Sequence, residues 1–503
     1  MSEYDFIVVG AGTAGCVLVA RLSEDPSLHV LLLEAGQQKT PEISAVPPAW
    51  PMLFGTEADW ADTTEVQHAN GMSLPFPHGR TLGGSSSINA MFFLRGHRSS
   101  YDAWASAGVK GWGFDDLLPY FQRSENLPDR NPSLRGIGGP LTPGPADPLH
   151  PIMEAGLAAA VEVGHRAATD ISGGAEEGFG RSDLNIVDGK RQSAADAYLL
   201  PAMDRPNLTV ITGALAHRIV IRNGRATGVE YSIGGDAFTA SCRHEVVLSS
   251  GTVGSAQLLL LSGVGPQEHL REMGIDPVRD LPGVGLNLQD HSLSQIAYRP
   301  TRPMPPMEHN HSGVIGLLRS EPGLDGPDLQ FLFSDIPLYG PALPGPDGLY
   351  AVVFSAMRPR SRGTLRLRSS DPATRPRIDP RYYEDSHDVD VMAAGLRFAR
   401  EMGQANAFKE WRGEEVLPGP DVSTEDEARD YIRRSLLTYF HPVGTCRIGD
   451  DDSAVVDTRL RVHGVEGLRV ADASVMPSIP SANTNATVYS IAERAADFLR
   501  TNR

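Results

Sequence analysis

Cysteine is scarce in this chain. There are three in 503 residues, Cys16, Cys242 and Cys446, and no pair has C-x-x-C spacing. An odd, sparse set excludes a disulfide framework and fits a reducing compartment. Basic residues are in deficit, with 45 Lys and Arg against 62 Asp and Glu and a net charge of −17. A field of that sign does not draw phosphate backbones, so nucleic acid is not an expected partner. No apolar stretch reaches the roughly 18 residues of a membrane span. The segment Met1 to Asp5 lacks the basic and apolar regions of a signal peptide. These absences together read as a soluble, cytoplasmic protein. What is present is ordinary globular composition, 41% hydrophobic and 21% charged, in a chain long enough for two or three domains. The 52 Gly and 39 Pro predict many turns.

The first residues carry the clearest local signal. Tyr4 to Val9 is β-rich and suits a buried parallel strand. Gly10-Ala11-Gly12-Thr13-Ala14-Gly15 follows, then a helix-like Cys16 to Leu22, and a second strand over Leu28 to Leu33 that ends at Glu34. In this order Gly10 allows the tight turn, Gly12 lets backbone approach a pyrophosphate, and Gly15 lets helix and strand pack closely. The helix start places unpaired N–H groups against phosphate. Glu34 is spaced to accept hydrogen bonds from a ribose diol. The pattern predicts dinucleotide binding without separating NAD from FAD.

Further along, residues 125–150 read as a linker and Pro151 to Val163 as a helix. Ile171 to Gly180 reads as a glycine-rich loop. Strands are expected over Leu208–Thr212, His217–Ile221, Thr227–Tyr231 and Glu245–Gly251, the last ending in a small-residue turn, with a helix over Val253–Ser262. From about 292 to 440, runs such as Leu329–Phe333 and Thr364–Arg368 alternate like half-buried antiparallel strands. The Pro/Gly-rich segment 337–348 reads as a surface loop rather than a lid.

Four more segments complete a pattern: Gly79 to Ala90 (GRTLGGSSSINA), Ser249 to Gly265 (SSGTVGSAQLLLLSGVG), Gly283 to His291 (GVGLNLQDH), and a C-terminal set. That set comprises HPVGTCRIG at 441–449, VVD at 455–457, GLRVADASVMP at 467–477 and SANTNAT at 481–487. With the N-terminal turn, these resemble the glucose–methanol–choline (GMC) oxidoreductase family over essentially the whole chain. The flavour is that of the bacterial choline dehydrogenase-like and hydroxymethylfurfural oxidase-like branch. The resemblance implies an α/β fold with an added antiparallel sheet. A Rossmann-like FAD-binding domain would come from residues 1–145, 186–290 and 441–503. A substrate-binding domain would come from 146–185 and 291–440. It implies FAD-dependent oxidation of an alcohol, with oxygen or another acceptor taking the electrons. Family members that link flavin through histidine carry it at the position of Ile88, which cannot form the bond, so dissociable FAD is expected.

Alcohol oxidation needs a base for the hydroxyl proton, and a positioned base contributes roughly 10²–10⁴-fold. His441 matches the family's catalytic histidine. It precedes Pro442, which biases it to extended backbone; alone, it would read as a loop residue. Asn483 is aligned as its partner, donating to the substrate oxygen. Asn485 competes for that role, and both could simply cap a helix starting near Thr487. By the resemblance, FAD also contacts Thr13, Ala14, Ala35, Leu82, Ser86, Asn89, Ala90, Met91, Asp472 and Ala473. Trp60 and Ala216 fall near the adenosine half. Thr484 would present its N–H to the flavin, helped by the helix dipole. Tyr439 and Phe440 are either walls of the substrate site, favouring a flat or apolar substrate over a quaternary ammonium, or plain core aromatics. His309 and His311 read as a solvated loop with no metal site, and Cys446 as packing. The same fold also hosts non-redox lyases with an idle flavin and photodecarboxylases, which stand as the alternative reading. A non-catalytic flavoprotein is disfavoured by the His441–Asn483 pair.

Overall fold

The computed structural model describes residues 3–501. The Val/Ile/Leu-rich start forms β1 (Glu3–Val9), turns at Gly10 into α1 (Thr13–Leu22), and returns as β2 (Val30–Leu33). Both strands are buried on both faces, as parallel strands between helices must be. α1 starts three residues ahead of Cys16 because Gly12, with extended backbone, already stands at its N-cap.

Among the elements that follow are α2 (Pro151–Glu162), β3 (Gly178–Arg181), β4 (Leu208–Ile211), β5 (Ala214–Arg222), β6 (Arg225–Ile233), β7 (Asp236–Leu248) and α3 (Gly251–Leu261). β8 (Ser292–Pro300), β9 (Val314–Leu318), β10 (Leu329–Ser334) and β11 (Tyr350–Ala356) follow. The chain closes with α4 (Ser386–Gln404), β12 (Arg412–Leu417), β13 (Leu437–Thr438), β14 (Leu468–Val470) and α5 (Asn485–Thr501).

One sheet has the order β4-β2-β1-β7-β6-β5, with β14 also on β7. β1, β2, β4, β14 and the end of β7 (Glu245–Leu248) run parallel, while β5, β6 and the start of β7 form an antiparallel meander. β7 is therefore longer than the segment expected from its apolar end. Its polar first half is held by the meander, not by burial. The parallel strands deliver Gly10, Glu34, Ser249 and Asp472 at or just beyond their C-terminal ends, where open α/β sheets bind ligands.

The second sheet, β12-β8-β11-β10-β9-β3 with β13 on β8, is antiparallel throughout. β3 corrects the expectation of a loop through Gly180. Phe179 is fully buried and its strand pairs with β9. The strands are also more buried than half-buried alternation predicts, since all six residues of β10 are buried. Leu329, Phe331 and Phe333 pack with residues of α2 and α4. By period-two alternation, Gln330, Leu332 and Ser334 face the other way, where Leu332 packs with Tyr439 and Ala482. The remaining expected strand, Thr364–Arg368, shortens to Thr364–Arg366, paired with Arg377–Asp379.

Residues 125–150 are irregular but pinned. Glu125, fully buried, accepts from Arg95, from Arg135 at 3.0 Å and from the Gly136 N–H at 2.9 Å. Arg135 reaches on to Asp183 (2.9 Å) and Asp170 (2.7 Å). Segment 337–348 has no regular structure, and its Leu338 backbone is held by the Gln295 side chain at 2.7 and 2.9 Å.

Candidate active site

A single elongated cleft runs from the glycine turn to the second sheet. At the turn, Gly10 has φ +100, and a Cβ there would lie 2.7 Å from the Ser249 carbonyl. A Cβ on Gly15 would lie 1.9 Å from the Gly10 carbonyl, so that glycine serves helix–strand packing. Gly12 differs, since its Cβ would meet nothing closer than 3.8 Å. Gly12, Thr13 and Ala14 line the cleft at the start of α1, where a helix leaves N–H groups without intrahelical partners. Glu34 lines the same region. Its carboxylate accepts from the N–H groups of Ala11 (2.7 Å) and Gly36 (2.8 Å), and burial pushes its pKa up to about 6. Ala35, Ala216 and Trp60 lie along the cleft too. Trp60 stacks on His78 and carries the Arg375 guanidinium 4.1 Å from its ring centre. Asp472 accepts from the Gly251 N–H (2.9 Å) at the start of α3 and from the hydroxyls of Ser255 (2.5 Å) and Ser474 (2.6 Å).

The other end is built by two chain segments zipped together. Gln289 and Val443 exchange backbone bonds, and the Tyr439 N–H donates to the His291 carbonyl (2.8 Å). Asp290 caps the turn. Its carboxylate accepts from the His441 N–H (2.8 Å), the Thr438 hydroxyl (2.5 Å) and the Tyr382 hydroxyl. Phe440, with φ +64, is held by its N–H bond to Thr438 Oγ1 (2.9 Å), and this aims the next side chain, His441, into the cleft. His441 Nε2 lies 3.1 Å from Asn483 Nδ2, and His441 Nδ1 lies 3.0 Å from His291 Nδ1. Burial and the neighbouring His291 hold His441 well below the ordinary histidine pKa, so the ring is neutral. Gln330 Nε2 donates to Asn483 Oδ1 at 3.5 Å, which turns the Asn483 amide nitrogen toward His441. Trp50, Phe54 and Phe440 form an aromatic file along the wall, with ring centres 5.6 and 5.1 Å apart.

Most residues expected from sequence thus meet in one cleft, including Asn89, Ala90, Met91, Ala473, Thr484, Tyr439 and Phe440. Three do not line it. Gly15 is under the turn. Leu82 is buried in the core, and its carbonyl accepts from the Ser87 hydroxyl (2.7 Å). Ser86 turns inward, donating to the Gly83 carbonyl (2.6 Å) and accepting from the Ala194 N–H (2.9 Å). In the tight 3₁₀ turn Gly84–Ser87, the sides at Gly84 and Ser85 face the cleft and the side at Ser86 faces the core. α5 begins at Asn485, two residues before the expected start, because Thr13 Oγ1 donates to Asn485 Oδ1 (2.8 Å) and ties the helix end to α1. Asn485 therefore does not compete with Asn483 for His441. His311 is not on a solvated loop. Its nitrogens meet Asp335 (2.9 Å) and the Pro48 carbonyl (2.7 Å), and it lines the cleft. His309 reaches only the Pro148 carbonyl (3.2 Å). No cluster of metal-ligating side chains exists among the described residues. Sequence reasoning missed His291, Asp290, Gln330, Trp50 and Phe54.

Models of the GMC oxidoreductase family match residues 4–293 and 359–492. The chain belongs to this family. It is 42% identical to an uncharacterized GMC-type oxidoreductase of Mycobacterium tuberculosis (strain ATCC 25618 / H37Rv) over 99% of both chains. It is 38% identical to an oxygen-dependent choline dehydrogenase of Brucella canis, over 99% of this chain and 95% of that one. Among solved structures, pyridoxine 4-oxidase from Mesorbium loti superposes with a TM-score of 0.95 at 36% identity, covering 98% of each chain. Formate oxidase of Aspergillus oryzae RIB40 superposes at 0.92 with 27% identity, over 100% of this chain and 99% of that one. The chain is thus an FAD-dependent oxidoreductase with the GMC fold. The cleft fits that cofactor. The open side of Gly12 forms a cradle at the start of α1 that any side chain would occupy. Beside Thr13 at the glycine turn, the buried amide nitrogen of Asn485 makes no hydrogen bond, and neither does the buried hydroxyl of Tyr439 next to His441; both residues line the cleft. No helix among the described residues is long and apolar enough to cross a membrane.

Proposed function

We propose that this enzyme oxidises an alcohol to an aldehyde or ketone, with His441 as the base and Asn483 as the donor to the substrate oxygen. The observation that carries this is the pairing of a neutral, buried imidazole with an amide donor, 3.1 Å apart, in the cleft. A neutral Nε2 can take the hydroxyl proton. The amide of Asn483 carries two hydrogens and cannot itself act as a base. It can hold the oxygen as negative charge develops. Bound FAD supplies the acceptor for the hydride at its N5.

The residues that would hold FAD are Gly12, Thr13 and Ala14 at the pyrophosphate, Glu34 at a ribose, and Trp60, Ala35 and Ala216 around the adenosine half. Asn89, Ala90, Met91, Asp472, Ala473 and Thr484 would line its remainder, with the positive end of α5 nearby. FAD is held without a covalent bond, since isoleucine occupies position 88. In this reading residues 1–145, 186–290 and 441–503 form the flavin-binding part, and 146–185 and 291–440 the substrate-binding part.

The aromatic file Trp50, Phe54, Phe440 and the adjoining Tyr439 favour a flat or apolar alcohol. The acidic residues lining the cleft, Glu34 and Asp472, sit toward the glycine turn and α3. Among the described residues no carboxylate lines the aromatic end to pair with a quaternary ammonium, since the nearby Asp335 is engaged by His311 (2.9 Å). The test is the visible spectrum of the FAD-loaded enzyme mixed anaerobically with aryl, alkyl and amino alcohols, then opened to air. Bleaching by an aryl alcohol is expected, and the rate of recolouring separates oxygen from another acceptor. A flavin that no alcohol bleaches sinks the oxidation reading and favours a non-redox lyase.

A further inference from the structure

The proton on His441 is governed by the residue behind it. His291 Nε2 lies 3.2 Å from the Met357 carbonyl, which can only accept, so that nitrogen carries a hydrogen. His291 is fully buried, and burial pushes its pKa down to about 3. The ring is therefore neutral and has no second hydrogen. Its Nδ1 is a bare lone pair, 3.0 Å from His441 Nδ1. Two lone pairs do not sit at that distance, so His441 Nδ1 must carry a hydrogen and donate it. His441 is neutral as well, which leaves its Nε2 bare, facing the amide donor of Asn483. The partners of each ring nitrogen are satisfied in this one arrangement of hydrogens.

We propose that His291 is a positioning residue that locks His441 in the Nδ1–H form, so that the Nε2 lone pair meets the substrate hydroxyl. This rests on the reading of His441 as the base. With the opposite tautomer, the hydrogen on Nε2 would face the Asn483 N–H group, and no lone pair would reach the cleft. When His441 takes the substrate proton on Nε2, its Nδ1–H bond to His291 is unchanged, and the new cation keeps a neutral acceptor at its back. Asp290 holds the His441 backbone while His291 holds the ring, so two consecutive residues fix both the place and the protonation of the base.

Two variants separate this from a packing role. His291→Asn places a side-chain oxygen where Nδ1 stood and keeps an acceptor. His291→Phe keeps a ring and removes the acceptor. Ring-nitrogen NMR on FAD-loaded, ¹⁵N-histidine-labelled protein, with His441 assigned by its loss in His441→Gln, reads the tautomer without substrate. Stopped-flow bleaching by benzyl alcohol reads the rate. In wild type and His291→Asn, hydrogen on Nδ1 and a bare Nε2 are expected, with bleaching rates within about tenfold of each other. In His291→Phe, Nδ1–H loses its acceptor, so the Nε2–H form gains population against the pull of Asn483, and bleaching slows by about tenfold or more at unchanged flavin content. A wild-type His441 with hydrogen on Nε2 overturns the proposal, as does a bare Nε2 retained in His291→Phe. If His291→Phe fails to fold, the wild-type and His291→Asn spectra still decide it. If benzyl alcohol fails to bleach the wild type while the spectra match, the substrate reading fails and the tautomer assignment stands.

Discussion

In the proposed placement of FAD, Gly12 serves cofactor binding but not folding. Its backbone, φ −73 and ψ −168, suits any L residue, and a Cβ there meets nothing closer than Ser249 O at 3.8 Å. Gly12→Ala should therefore leave the apoprotein within about 1 kcal/mol of wild type. The methyl enters the cleft where the α1 N–H groups would bind pyrophosphate. Hydrogen bonds to a charged group contribute about 1.5–3 kcal/mol each. Losing one or two costs about 3 kcal/mol, or roughly a hundredfold in FAD affinity. With FAD at 1,000 times the wild-type Kd, wild type gains about 4 kcal/mol of stability and Gly12→Ala only about 1.4 kcal/mol. Gly15→Ala is the control. Its Cβ lies 1.9 Å from the Gly10 carbonyl, so the fold itself should lose several kcal/mol, with or without FAD. The assay is FAD titration by fluorescence quenching, paired with thermal melts of apo and loaded protein. Wild-type affinity in Gly12→Ala would refute the placement of the pyrophosphate. An apoprotein as damaged as that of Gly15→Ala would refute the claim that Gly12 is free of packing duties.

Three further outcomes are expected. Acid precipitation should release all the yellow colour to the supernatant, because Ile88 offers no covalent attachment; colour kept in the protein pellet would contradict this. Glu125→Ala leaves the buried guanidinium groups of Arg95 and Arg135 without their shared carboxylate, and should cost about 3–5 kcal/mol in urea unfolding; a loss below about 1 kcal/mol would show the network to be dispensable. His291 is buried and neutral in the fold, with its pKa lowered to about 3, so between that value and about 6.5 only the unfolded chain binds the proton. Its contribution is complete above 6.5 and declines as pH falls. Between pH 7 and pH 5, wild type should therefore lose about 2 kcal/mol more than His291→Asn, and parallel stability curves for the two would refute it.

What could be read from the sequence was what is local. The turn at Gly10–Gly15, the acid at Glu34 and the switch from strand to helix lie within about two dozen residues, and each glycine's duty follows from the backbone next to it. His441 and Asn483 are 42 residues apart, and only family resemblance joined them before the structure did. His291 ends the GVGLNLQDH segment, but nothing in that segment says that it touches His441. It stands 150 residues from His441 and meets it because Gln289 pairs with Val443 and the Tyr439 N–H with the His291 carbonyl. That register is set by β8 against β13, which pair through Ser292 with Thr438 and Leu293 with Leu437. Gln330 did leave a signal. It is a polar residue between Leu329 and Phe331, on the face of β10 opposite the aromatic side chains. A polar residue in a strand buried on both faces calls for a partner, and the Gln330 amide nitrogen meets Asn483 Oδ1 at 3.5 Å while its carbonyl oxygen stays unpaired. The same logic explains the misplaced Ser86. A serine in a glycine-rich turn looks fit for phosphate, yet its hydroxyl is already satisfied by Gly83 and Ala194. Hydrogen-bond satisfaction within the fold, not residue type, thus decides which polar groups are left for the ligand. By that measure the groups left open in the cleft include the N–H groups at the start of α1 and, among buried side-chain atoms of the described residues, the Asn485 amide nitrogen and the Tyr439 hydroxyl.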